Sequence, residues 1–162
     1  MQLDPDSATA AADLHVASQR RTARPRLDVL AVIAGGGVLG AEARYGVSVM
    51  VPHAPTAFPW STLLINAAGC VLIGVLMVVI TEVTTPHRLA RPFLGVGVLG
   101  GFTTFSTYAV DAQQLLVGQR PGTALAYLGG TVVAALASVS LGVTGTRAVT
   151  GLLRRAGRRT GP

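Results

Sequence analysis

Gly95-Val96-Gly97-Val98-Leu99-Gly100-Gly101-Phe102-Thr103-Thr104-Phe105-Ser106-Thr107-Tyr108 lies inside an apolar run long enough to cross a membrane. The Gly100-Gly101 pair weakens a helix, and hydroxyls and aromatic rings follow at once. In a bilayer, irregular backbone survives only where protein or a water-filled cavity surrounds it. The stretch therefore predicts a helix broken near mid-membrane, beside a site for an ion or a small polar solute.

The rest of the chain agrees with a membrane setting. Half of its 162 residues are hydrophobic and 12% are charged, too apolar for an ordinary soluble domain. Segments near 28–51, 60–82, 92–118 and 121–147 reach the roughly 20 apolar residues a span needs. The fold expected is an all-α membrane protein with four transmembrane helices, the third broken, in one domain over 28–147. Residues 1–27 read as a disordered basic tail without the apolar core of a secretory signal. Residues 148–162 read as a second basic tail. Cys70 is the only cysteine, so no intrachain disulfide is possible.

All 13 basic residues are arginine. Arg20, Arg21, Arg24 and Arg26 precede span one, Arg88 and Arg91 separate spans two and three, and Arg147, Arg154, Arg155, Arg158 and Arg159 end the chain. With four spans these regions share one side, against Arg120 alone in the opposite loops. The positive-inside rule then places both termini in the cytoplasm of a plasma-membrane protein. Basic tails beside spans set topology or touch anionic membrane lipid, so the net charge of +6 is not read as nucleic-acid binding.

Gly35-Gly36-Gly37-Val38-Leu39-Gly40 matches a dinucleotide fingerprint literally but has no acidic residue about 20 positions on. Gly36 with Gly40, and Gly97 with Gly101, have the small-xxx-small spacing of close helix packing. Glu42 and Arg44 are ionisable residues in span one, Arg44 about 10 Å from its end, at a depth that suits an interface anchor or a pore vestibule. Pro59-Trp60-Ser61-Thr62 suits an interfacial helix start with a hydroxyl cap. Asn66 lies roughly 9 Å deep and needs partners, either a neighbouring helix or a solute. Phe105 and Tyr108 share a face at i,i+3, and Asp111 lies beyond them. Tyr127, Thr131 and Ser138 form a weak polar stripe on span four, although isolated Ser and Thr in spans usually bond their own backbone. His15, His53 and His87 are too scattered to form a ligand set. With no nucleophile–base pair or phosphate loop, an enzyme is not expected. The donors gathered in the spans, an amide, hydroxyls and a guanidinium, together with positive ring edges, suit a small anion.

Three blocks carry a family resemblance. They are Gly40-Ala41-Glu42-Ala43-Arg44-Tyr45, the Thr62-Leu63-Leu64-Ile65-Asn66-Ala67-Ala68-Gly69 stretch after Trp60-Ser61, and Gly100-Gly101-Phe102-Thr103-Thr104-Phe105-Ser106-Thr107. Together they resemble the CrcB/Fluc family of small fluoride channels over roughly 28–147. The resemblance implies an antiparallel dimer of four-helix subunits with two pores that export fluoride passively and protect against its toxicity. It implies a central structural Na⁺ held by the carbonyls of Gly100 and Thr103. It implies an anion pathway along Asn66, Phe105, Ser106, Thr107, Tyr108, Tyr127 and Thr131, with Arg44 at the vestibule. The family commonly carries a second Phe where this chain has Tyr108.

The arginine bias adds an inference of its own. A homodimer of dual topology needs subunits with little orientation preference. This chain is expected to insert one way and to pair with an oppositely biased homologue. The competing readings are a proton-coupled four-span exporter of cationic compounds using Glu42, and a non-transporting assembly factor packed through its glycine motifs.

Overall fold

The computed structural model describes residues 27–159; of the expected N-terminal tail, residues 1–27, all but Leu27, the first residue of a helix, lie outside the described residues. The described chain is helical throughout its elements. Helix α1 is Leu27–Met50, α2 is Trp60–Val83, α3 joins Pro92–Leu99 to Gly100–Phe102, α4 is Ser106–Val117 and α5 is Pro121–Arg159. Three stretches, Trp60–Val83, Pro92–Val117 and Pro121–Ala156, are long and apolar enough to cross a membrane. Helix α1 has 24 residues, carries Asp28, Glu42 and Arg44, and is not among these three.

Two backbone-close helix pairs organise the bundle, α1 against α3 and α2 against α5. Glycine makes both possible. A methyl added to Gly36 would lie 2.6 Å from the Phe93 carbonyl, and one on Gly97 would lie 2.8 Å from that of Ile33. One turn on, a methyl on Gly40 would meet the Val98 carbonyl, and one on Gly101 that of Gly37. The two small-xxx-small motifs read from sequence are therefore each other's partner. Gly74 and Gly142 make the α2–α5 crossing in the same way, a methyl on Gly74 falling 2.6 Å from the Val139 carbonyl.

The third span is interrupted, but not at the glycine pair. Pro92–Leu99 is wound as a π-helix, and Gly100 (φ −66°, ψ −35°) is helical. The chain leaves the helix at Thr103 (φ −77°, ψ 158°) and re-enters at Ser106. Asn66 on α2 explains the shift, because it supplies the backbone partners that the helix gives up at Thr104.

Two other expectations change. Ser61 and Thr62 do not cap α2, which begins without a side-chain cap. The stretch from 148 onward, expected as a tail, continues α5 as helix through Arg159. Arg147 grips Glu82 through Nε at 2.9 Å and Nη2 at 2.6 Å, and Arg154 Nη2 donates to the Glu82 carbonyl at 2.9 Å. Arg88 pairs with Asp28 at 2.5 Å. These contacts tie the helix ends together on the side where α1 begins and α5 ends. On the opposite side a small core of Ala112, Leu115, Ala124 and Tyr127 joins α4 to α5.

Candidate functional site

The interruption between α3 and α4 is built from reciprocal hydrogen bonds. Asn66 Nδ2 donates to the Thr104 carbonyl at 2.9 Å, and the Thr104 N–H donates to Asn66 Oδ1 at 2.9 Å. The side-chain amide thus stands in for a peptide group of a neighbouring strand. Thr104 in turn starts α4, its Oγ1 accepting from the Thr107 N–H at 3.1 Å, a local hydroxyl cap of the kind Thr favours before a helix.

This diversion has a direct consequence for α3. In an unbroken helix the Thr104 N–H would bond the Gly100 carbonyl, and the Thr107 N–H would bond that of Thr103. Both donors are taken by side chains instead. Two backbone oxygens at the break, Gly100 and Thr103, are thereby released from the helical ladder. Gly69 on α2 makes room for this turn, because a methyl there would strike the Thr103 side chain.

A groove of about 440 Å³ opens beside the break. Asn66, Gly100, Thr103, Phe105, Tyr108 and Thr131 line it, with Thr104 and Cys70. Six of the sequence-derived candidates therefore meet at one place. Its walls are mostly apolar, with a few polar atoms directed among them. Asn66 commits one of its two amide hydrogens to Thr104, and the second makes no hydrogen bond among the described residues. Phe105 is 79% exposed. Its ring lies 5.7 Å from that of Tyr108, which lies 5.2 Å from that of Tyr127. The Tyr108 hydroxyl donates to the Leu128 carbonyl at 3.0 Å, so it stakes the ring to α5.

Thr131 is the groove's most informative residue. Ser140, Thr144, Thr146 and Thr150, further along α5, all bond the carbonyl one turn back. Thr131 Oγ1 is buried and, among the described residues, has no hydrogen-bond partner. A polar group kept orphaned in an apolar wall costs stability unless something else satisfies it.

The other candidates sit elsewhere. Ser106 and Thr107 are exposed on the first turn of α4 and do not line the groove. Arg44 is half-buried on α1, also away from the groove, and Glu42 is exposed. Tyr127 is fully buried one turn beyond Thr131, where its hydroxyl donates to Asp111 Oδ2 at 3.3 Å.

That last contact belongs to a second polar tier which sequence reasoning missed. Thr62 is one turn from Asn66, Asp111 one turn from Tyr108 and Tyr127 one turn from Thr131, all displaced toward the same end of the bundle. Thr62 Oγ1 donates to Asp111 Oδ2 at 2.6 Å. His53, from the α1–α2 connection, brings Nε2 to 3.8 Å from Asp111 Oδ1 while its Nδ1 lies 3.0 Å from Ser61 Oγ. The i−4 and i+3 offsets from the first tier were the available signal. Although Ser, His and Asp meet here, Ser61 is only 3% exposed and offers no accessible nucleophile.

Comparison with known proteins agrees with this architecture. Residues 31–143 match the family described as CrcB-like protein, Camphor Resistance (CrcB). The chain is 55% identical over 126 residues to Fluoride-specific ion channel FluC 1 of Streptomyces coelicolor, covering 78% of this chain and 82% of the relative. It is 52% identical over 133 residues to Fluoride-specific ion channel FluC 2 of Nocardia farcinica, covering 81% and 95%. A FluC 2 channel of Thermobifida fusca is 47% identical over 131 residues, covering 81% and 95%.

Proposed function

The chain belongs to the CrcB-like family, and on that footing we propose that it is a fluoride-specific ion channel that lets fluoride leave the cytoplasm passively and so limits its toxicity. It is a multi-pass membrane protein and not an enzyme. The observation that carries the reading is the groove beside the broken helix. It offers hydrogen-bond donors and ring edges to a small anion, and the unpartnered Thr131 hydroxyl is one of them. A dry apolar wall with few donors strips water from a solute and replaces only part of its hydration shell. Fluoride, small and strongly hydrogen-bonding, gains most from such donors.

The subunit reading follows from what the single chain leaves uncovered. Phe105 beside the groove is mostly exposed, and long apolar faces of α1 and α5 are exposed among the described residues. An antiparallel second subunit with four crossing helices, α1 included, would cover them and complete the pathway. Arginines concentrated at one end support cytoplasmic termini and a partner of opposite bias. The released carbonyls of Gly100 and Thr103 are the hard oxygen donors that suit Na⁺, and they would hold it structurally between subunits. The competing exporter reading is not favoured, since Glu42 lies away from the groove.

Fluoride efflux from liposomes, read with a fluoride electrode, tests the assignment. Flux from this chain together with an oppositely biased homologue, and little from either alone, is the expected result. Robust flux from the single chain in both orientations would leave the channel reading intact and remove the heterodimer. Absence of flux in every combination would end the channel reading.

Thr131→Val separates function from stability within the same assay. Valine keeps the shape and removes the orphaned hydroxyl. Thermal stability is expected to hold or to rise by about 1 kcal/mol, while fluoride flux falls roughly tenfold for want of one donor. Parallel losses in both would mean that the hydroxyl is structural.

A further inference from the structure

Helix α5 has 39 residues, whereas a hydrocarbon layer takes roughly 20. The excess belongs at the end that carries Arg147, Arg154 and Arg155, because charge stays out of hydrocarbon. Those last turns do not read as soluble helix. Val149, Leu152 and Leu153 are 56%, 65% and 67% exposed and share one side of α5 at i, i+3 and i+4. Arg147 and Arg154 lie seven apart on the other side, where both reach Glu82. Arg155 is exposed, one position past Arg154.

The charge at this end is unbalanced. Arg88, Arg91, Arg147, Arg154 and Arg155 share it with two carboxylates, Asp28 and Glu82. Asp28 goes to Arg88 and Glu82 to Arg147. Arg154 donates to the Glu82 carbonyl, which carries no charge to offset its own. Arg91 and Arg155 are exposed and make no ion pair among the described residues. Three guanidinium groups are thus left without a carboxylate, two of them at the end of an uncovered apolar stripe.

The order along α5 matters. Leu152 and Leu153 precede Arg154 and Arg155, and Val149 lies a further turn toward the bilayer. A guanidinium offers a planar fork of N–H donors to a phosphate, and the leucines beside it want hydrocarbon. A soluble phosphate meets the first demand and not the second. A zwitterionic lipid covers the leucines but brings its own cation. We propose that this end of α5 is a docking surface for an anionic glycerophospholipid, with its phosphodiester on Arg154 and Arg155 and its acyl chains along Leu153, Leu152 and Val149. Arg91, at the start of α3, adds to the attracting field.

Native mass spectrometry of the full-length protein in detergent tests this, with equimolar phosphatidylglycerol and phosphatidylcholine of identical acyl chains. Bound lipid should favour phosphatidylglycerol by about fivefold or more, since one arginine near an anionic surface is worth about that factor. Arg154→Gln/Arg155→Gln should bring the ratio near one. Arg155→Gln alone spares the Glu82 contact and should fall between, which keeps a readout if the double variant does not fold. Arg120→Gln, in a loop at the opposite end, should leave the ratio unchanged. Leu152→Asn/Leu153→Asn should lower retention of both lipids. Equal retention in the wild type overturns the proposal, as does a preference that survives the arginine variants or is lost equally in Arg120→Gln. Displacement of the lipid by an equal concentration of glycerol phosphate would make this a free-phosphate site and overturn it. Unchanged phosphatidylglycerol with a shift in oligomer mass in the double variant would make it a subunit interface and overturn it. Bound lipid is counted without flux, so the result stands whether or not the chain conducts.

Discussion

Asn66→Ala is expected to abolish measurable fluoride flux, a loss of about a hundredfold or more, because two buried backbone groups lose their partners at once. The amide serves both the N–H and the carbonyl of Thr104. An orphaned buried backbone group costs about 1–3 kcal/mol, and water cannot replace the partner in an apolar interior. The least costly relief is for the Thr104 N–H to return to the Gly100 carbonyl, which rewinds the helix through the break. That rearrangement removes the groove's polar wall and returns the Gly100 carbonyl to the helical ladder. Thermal melts in detergent should show a loss of several kcal/mol alongside the loss of flux. Asn66→Asp keeps the acceptor toward the Thr104 N–H and loses the donor, so it should fall between. Flux within about threefold of wild type in Asn66→Ala would show that the break does not depend on this clamp.

Gly40→Val should be the most damaging substitution in the bundle as a whole. A β-carbon at position 40 meets the Val98 carbonyl, and it lies 2.7 Å from the Phe102 nitrogen and 3.0 Å from the Gly101 carbonyl carbon. Every one of these atoms is backbone, so no rotamer change relieves the collision. Overpacking of flexible side chains costs about 1–3 kcal/mol, and a backbone clash inside a helix crossing is expected to exceed that range. The α1–α3 pair should separate, with loss of monodisperse protein on gel filtration in detergent. Gly46→Ala provides the matched control on the same helix, since nothing lies within 4 Å of its would-be methyl. It should be neutral or gain about 0.5–1 kcal/mol from better helix propensity. Equal tolerance at positions 40 and 46 would contradict the close crossing.

Sequence carried the helical membrane fold, the interrupted third span and the meeting of Asn66 with Phe105, Tyr108 and Thr131. It placed the break within Gly100–Thr104, where the chain does leave the helix at Thr103, but not on that residue. Local propensity points to Gly100-Gly101, yet both stay helical, because the partner that pulls Thr104 out of the ladder belongs to another helix. The glycine motifs were legible as packing surfaces, but spacing alone does not say that Gly36 and Gly40 face Gly97 and Gly101. The Thr62–Asp111–Tyr127 tier was hidden for a similar reason. Each of its members reads as ordinary in its own helix, a cap, an outlying acid, an aromatic in a stripe, and only the bundle brings them together. Past residue 147 the arginine content suggested a tail, whereas Arg147 and Arg154 hold α5 to Glu82 as the helix continues.

The gripping of Glu82 by Arg147 also acts as a depth gauge. Thr131 lies 16 residues before Arg147 on one uninterrupted helix, a rigid rod of about 24 Å. If the Arg147–Glu82 pair sits in the headgroup belt of a hydrocarbon layer about 30 Å thick, the groove is registered to that belt and not to the bilayer centre. Changes in lipid chain length are then taken up at the far surface or by tilt, and the length of apolar barrier beyond the groove varies with the thickness of the host membrane.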